Sequence, residues 1–305
     1  MIRSLVSGIL TSSIVSATSL LYATLGEVIT QRAGIVNLGL VGALLLGASV
    51  GFAVAFRTGH PLAGILAAAL AAGALNLVFG FLVITRRASQ PASGLTMMFL
   101  GTGLSALVGR PYVGRPIAGL GKLPLPGLAR LPWIGPVLFN HDVLVYLVVP
   151  AALVVWWLLF RTRWGLGVRA VGESPTTAFA AGRRPGWLQY QALFLGGLLA
   201  GVGGAHLSIA YTLNWSEGMT GGRGFIAIAL VIFSRWHPLW AIAGALLFGG
   251  TVALQLQLQA RGIDVSPFLM NMIPYLLTIL VLVVWGRRRR QAAPASLGRV
   301  YSGTE

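Results

Sequence analysis

Residues 214–236 read NWSEGMTGGRGFIAIALVIFSRW. The first half is polar and glycine-rich, and the apolar half, 224–234, is too short to cross a bilayer as a helix rising about 1.5 Å per residue. Whether this stretch crosses decides the fold, and the charges on either side answer the question. Segment 161–187 carries Arg161, Arg163, Arg169, Arg183 and Arg184 against the single Glu173, and the tail carries Arg287, Arg288, Arg289 and Arg290. Arg-rich connections of this kind stay on the cytoplasmic side. An even number of crossings must then separate the two, and the clear apolar spans 188–212, 238–256 and 267–285 leave that number odd. The missing crossing is 214–236, as irregular backbone followed by a short helix. Such backbone is tolerated at membrane depth only where protein or a water-filled cavity satisfies it. Transporters place their pathways there.

The rest of the chain agrees with a lipid solvent. Of its 305 residues 56% are hydrophobic and 9% charged, with a mean hydropathy of +0.82, whereas a soluble domain carries about 25% charged residues. Further spans read 5–28, 35–56, 61–84, 92–109 and 143–160. The expected fold is an all-α polytopic bundle of about 8–10 membrane segments, broken helices included. It forms a single transmembrane domain over 1–290, with a cytoplasmic tail, 291–305, expected to be disordered. The run from Leu5 to Leu25 is longer than a signal-peptide core and is read as the first helix. Two full crossings before residue 57 would put Met1 outside; a re-entrant piece near 27–40 would reverse that. Region 110–142 is too rich in Pro and Gly for a spanning helix and falls outside by parity. The net charge of +16 does not imply nucleic acid, because the Arg residues lie between and after spans. With no Cys, disulfides and thiolate sites are excluded.

Two interrupted stretches carry the functional argument: 26–42, GEVITQRAGIVNLGLVG, and 214–224, NWSEGMTGGRG. Each sets an acid five or six residues before an Arg, followed by Gly and a β-branched apolar run. Paired broken segments point to inverted repeats; an inverted repeat and a chance match both stay open. Glu27 and Glu217 read either as gate residues or, more plainly, as local partners of Arg32 and Arg223. His206 reads as a proton relay or as a histidine bonded to a neighbouring helix, and the glycines at 196, 197, 201, 203 and 204 as a close-packing face. No enzymatic constellation is present. Lys122 lacks the glycine spacing of a phosphate loop, and His60, His141, His206 and His237 form no i, i+4 ligand pair. Neither metal nor cofactor is expected. In 161–187, Ser174-Pro175 reads as N-cap and first helical position and Gly182 as a stop, which defines a short helix, TTAFAA, suited to docking in a partner's groove.

Three motifs resemble one family. QRAGIVNLGLVGALLLGA is similar to the "ERxGxxNIGxEGxMLxGA" signature of ABC-transporter inner-membrane permeases for simple sugars and nucleosides, through Arg32, Gly34, Asn37, Gly39, Gly42, Leu45, Gly47 and Ala48. VGESPTTAFAAG resembles that family's "GENPxAAxxxG" loop and a degenerate form of the broader importer motif EAAxxxG. NWSEGMTGGRGFIAIALVIFSRWHP resembles "ExMTxGRGFIALAxVIFGxWxP" from Glu217 to Pro238. The chain departs at Leu40-Val41, where the signature has a Glu, at Gln31, where an acid is usual, and at Arg183-Arg184. The resemblance implies a permease of the plasma membrane for nucleosides or simple sugars. Its implied partners are a second permease subunit, the same or different, an ATP-binding subunit and an extracytoplasmic substrate-binding protein. It implies coupling to the ATPase through Glu173, Pro175, Ala178 and Gly182, and a pathway past Asn37, Glu217, Thr220 and Arg223. The alternative is a stand-alone transporter, with Glu27, Glu217 or His206 carrying coupling protons.

Overall fold

The computed structural model describes residues 2–131, 134–260 and 293–299, with single positions between 272 and 283. Proline marks where several helices begin: Pro61, Pro185 and Pro238 open theirs, and Pro91 sits in the first turn of another. At these positions the missing N–H has no intrahelical partner to lose. The helices are α1 (Ile2–Arg32), α2 (Leu40–Thr58), α3 (Pro61–Gly80, widening into a π turn through Thr85) and α4 (Gln90–Gly109). After a short α5 (Ile134–Leu138) come α6 (Val143–Arg161), α7 (Arg163–Glu173) and α8 (Pro175–Ala180). The last are α9 (Pro185–Ala205, widening through Tyr211), α10 (Arg223–Phe233) and α11 (Pro238–Ala260). Among the described residues seven helices are long and apolar enough to span a membrane. The polytopic helical bundle read from the sequence is therefore the fold; the expected span 267–285 and Arg287–Arg290 lie outside the described residues.

α1 and α9 run through the middle. The five glycines from Gly196 to Gly204 bring α9 into backbone contact with its neighbours. A Cβ on Gly196 would meet Thr30 and Gly26 of α1, one on Gly197 the carbonyl of Ala72 in α3, and one on Gly204 the carbonyl of Leu44 in α2. This is the close packing that small residues permit where no hydrophobic force drives helices together. Outward faces of α3, α4, α6 and α11 remain apolar, with Leu66, Leu70, Phe99, Leu107, Val154 and Trp240 exposed, as a lipid-facing surface requires.

Two poles follow. At the outer pole, region 110–142 folds as a small unit in which β1 (Leu123–Pro124) pairs antiparallel with β2 (Asn140–His141). The Asp142 carboxylate accepts the Leu144 and Val145 amides and so caps α6; it also stands 3.6 Å from the His206 imidazole, fully buried on α9. The start of α1 packs beside α5 at this pole. Its other end, Arg32, lies against Gly172 of α7 at the inner pole. α1 thus runs from pole to pole rather than forming the arm of a re-entrant loop, and its N-terminal end lies at the pole opposite α7. Residues 295–298, within the tail expected to be disordered, dock at the inner pole, where their backbone N–H groups find acceptors offered by the α1–α2 turn and by α7.

Candidate functional site

The first broken stretch, residues 33–39, joins α1 to α2 and is buried for most of its length. A buried connection must pair its backbone internally, and this one does. Ala33, Gly34 and Ile35 donate to carbonyls of α1, Val36 donates to the Gln90 side chain, and Asn37 donates to Glu27 Oε1. Glu27 Oε1 also accepts from Gln31 Nε2 at 2.9 Å. The Asn37 amide donates to Asn76 Oδ1 at 3.1 Å, and Asn76 donates to the Leu193 carbonyl on α9. Gln189 caps the Ala33 carbonyl. Glu27 does not pair with Arg32, as a local reading would have it: Arg32 donates to the Trp236 carbonyl and lies over the Phe160 ring. Trp236 in turn donates its indole N–H to Gln31.

The second broken stretch, 212–222, is built differently. Its turns close on themselves through Met219 to Ser216, Gly221 to Gly218 and Arg223 to Thr220 backbone bonds. Gly218, Gly221 and Gly222 all carry positive φ, a region a side chain makes costly. Trp215 packs on the bare backbone of Gly109 at the outer end of α4. By residue 223 the chain has descended to the middle of α1, where Arg223 Nη1 donates to Ser19 Oγ at 2.8 Å and Gly224 abuts Val41. From there α10 runs beside the inner half of α1, reaching Gln31 through Trp236. Eleven residues of helix cover about 16 Å, so the outer half of this crossing is the irregular stretch itself. Beside it lies a cleft of about 890 Å³ lined by Gly103, Ala106, Leu107, Arg110, Trp215 and Glu217.

Between α6 and α9, the inner connection forms two helices where one was expected. α7 ends at Glu173, and Ser174 caps α8 by accepting the Thr177 amide, with Pro175 at the first helical position. Gly182, at φ +77°, turns the chain away. Ala178 is buried against the bundle while Phe179, beside it, is 44% exposed. A Cβ on Gly172 would collide with the Arg32 carbonyl oxygen, so the end of α7 rests directly on the end of α1.

A profile for the permease component of branched-chain amino acid transport systems matches residues 9–282. The chain belongs to this family. The permease is 33% identical to the guanosine ABC transporter permease protein NupQ of Bacillus subtilis, over 97% of each chain. It is 31% identical to the nucleoside ABC transporter permease protein NupC of Lactococcus lactis, over 91% of this chain and 92% of that one. A Haloferax volcanii ABC transporter permease protein whose name provisionally assigns it to glucose, TsgC13, is 37% identical over 98% of each. No solved structure matches the chain.

The permease is a multi-pass protein of the plasma membrane. Its structure does not gather the four pathway residues read from the sequence into one site. Thr220 and Arg223 share the floor of the outer stretch, Glu217 is exposed on the cleft, and Asn37 is buried in the other break. The four residues read from the sequence as coupling lie close together: Glu173 ends α7, Pro175 and Ala178 belong to α8, and Gly182 follows it. Sequence reasoning missed Asn76, Gln90 and Ser296, polar residues whose partners are distant in the chain.

Proposed function

We propose that this chain is one pore-building half of an ATP-driven importer for nucleosides or simple sugars. It would work with a second permease subunit, an ATP-binding subunit and a substrate-binding protein on the outer face. The observation that carries this reading is α8: a six-residue helix, capped at both ends, with an exposed Phe179, seated on a backbone contact between α7 and α1. A short helix of this kind fits a partner's groove, and the contact gives a push on α8 a route into the bundle. Glu173, Pro175, Ala178 and Gly182 form that seat. The 212–222 stretch, with Glu217, Thr220 and Arg223, is the outer gate beside the cleft, and Asn37 holds the inner break in register. Kinship to guanosine, nucleoside and glucose permeases supports the solute class.

The test is uptake of labelled nucleosides and hexoses into proteoliposomes holding the permease with its ATPase and binding protein. ATP-dependent uptake of one class is expected. Gly182→Leu forces a side chain into a left-handed position and should cut transport-coupled ATP hydrolysis about tenfold; normal coupling would refute the seat. A second reading, proton-coupled transport without an ATPase, draws on Glu27 Oε2, which is buried and has no hydrogen-bond partner among the described residues. Uptake by the permease alone that a protonophore abolishes would establish it instead.

A further inference from the structure

Past the last span, residues 294–299 read PASLGR, a stretch with little apolar surface to bury. Three separate parts of the bundle nevertheless hold it. Ser296 donates its backbone N–H to the Gly172 carbonyl at 3.0 Å and its hydroxyl to the same oxygen at 2.6 Å, with Val171 at 3.2 Å. Ala295 N–H donates to the Glu173 carboxylate at 3.2 Å. These bonds fix it to the end of α7. Gly298 N–H donates to the Gly34 carbonyl at 3.1 Å, in the α1–α2 break. Gln90, at the start of α4, donates to the Arg299 carbonyl and accepts from Val36 of the same break. Ser296 is buried, and Leu297 packs on the core.

The joint has no slack. Gly34 sits at φ +88°, and a Cβ there would lie 2.6 Å from the Ser296 hydroxyl; a Cβ on Gly172 would strike the Arg32 carbonyl. Gly172 rests on the Arg32 backbone, and the Ser296 hydroxyl fills the space beside Gly34, so the end of α7, the strap and the break are packed as one joint. Packed interiors answer displacements as units rather than by stretching.

We infer that residues 294–299 are a transmission strap, with Ser296 as a positioning residue, that ties the seat of the ATPase on α7–α8 to the α1–α2 break and to α4. The inference rests on the ABC-importer reading above. A strap that transmits must stay attached through the cycle. A latch that released during the cycle would behave in the opposite way, leaking when cut.

The experiment uses the reconstituted complex of permease, ATPase subunit and binding protein. It compares the full chain, a chain ending after Ala292, and Ser296→Ala. Co-purification of the ATPase subunit, ATP hydrolysis and solute taken up per ATP are read for each. The strap predicts that the shortened permease retains its ATPase subunit and its hydrolysis, while uptake per ATP falls about tenfold. Ser296→Ala, which removes one donor, should lower uptake per ATP about fivefold. Unchanged uptake per ATP in both variants overturns the proposal. So does solute leakage without ATP from the shortened permease, which marks a latch. So does loss of assembly on shortening when Ser296→Ala behaves as the full chain, which marks a folding element only. Should the full-length complex take up neither nucleosides nor sugars, the importer reading fails instead, and the two failures are distinct.

Discussion

The two breaks in this bundle interrupt helices for opposite ends. Between α1 and α2, residues 33–39 are buried, and side chains from α1, α3, α4 and α9 hold the backbone in place. Between α9 and α10, residues 212–222 close their own turns on glycines, lie largely exposed and border an open cleft. Both open with an acid and close with an arginine in sequence, yet Glu27 is 1% exposed and bonded twice while Glu217 is exposed. On the proposed reading the first break, its backbone held by side chains of its neighbours, is the fulcrum, and the second, open to the cleft, is the gate.

The sharpest way to break this comparison is to strike the fulcrum at its tightest point. Gly172→Val puts a branched side chain into the Arg32 carbonyl, and overpacking of this kind costs about 1–3 kcal/mol or more. The thermal midpoint in detergent should fall further here than for any other change considered, and uptake should vanish. Next comes Asn76→Leu. It keeps the volume but leaves the Asn37 side-chain amide without its acceptor, at about 1–3 kcal/mol for the orphaned group. The midpoint should drop measurably, and an unchanged midpoint would mean the network is idle.

The gate should respond in reverse. Glu217→Gln, on an exposed side chain, should leave the midpoint within about 0.5 kcal/mol of wild type while uptake falls severalfold. If stability falls and uptake does not, the roles of the two breaks are exchanged. The smallest effect concerns pH. Burial first, and the Arg32 guanidinium second, hold His237 below the usual histidine range. The unfolded chain therefore binds this proton more readily than the folded one. Its contribution to stability is complete above about pH 6.5 and is lost as the pH falls below that value. The midpoint should decline from pH 7 to pH 5, and His237→Gln should flatten that decline.

Much of this architecture was legible because its signals are local. Apolar runs gave the spans, and the two Arg clusters called for 214–236 to cross; Trp215 on Gly109, the Arg223–Ser19 bond and the Trp236–Gln31 bond place its start, middle and end along the bundle. Ser174-Pro175 and Gly182 announced α8 because a cap and a left-handed stop are properties of single residues. What escaped was set by residues far apart in sequence. Nothing near Glu27 says that its carboxylate will accept the Asn37 amide ten residues on, in preference to the Arg32 beside it. α7 was hidden because its three glycines, Gly165, Gly167 and Gly172, weaken helix propensity while serving contacts with α6, α9 and α1. The tail read as disordered because PASLGR buries little, and its order comes from carbonyls offered by Gly172 and Gly34.

That docked tail has a practical corollary for anyone building reporters. A fluorescent protein fused closely behind Arg299 would be tethered beside α7 and α8, where the proposed ATPase partner would sit. The amino end, at the far pole beside α5, offers a handle whose bulk stays clear of that seat.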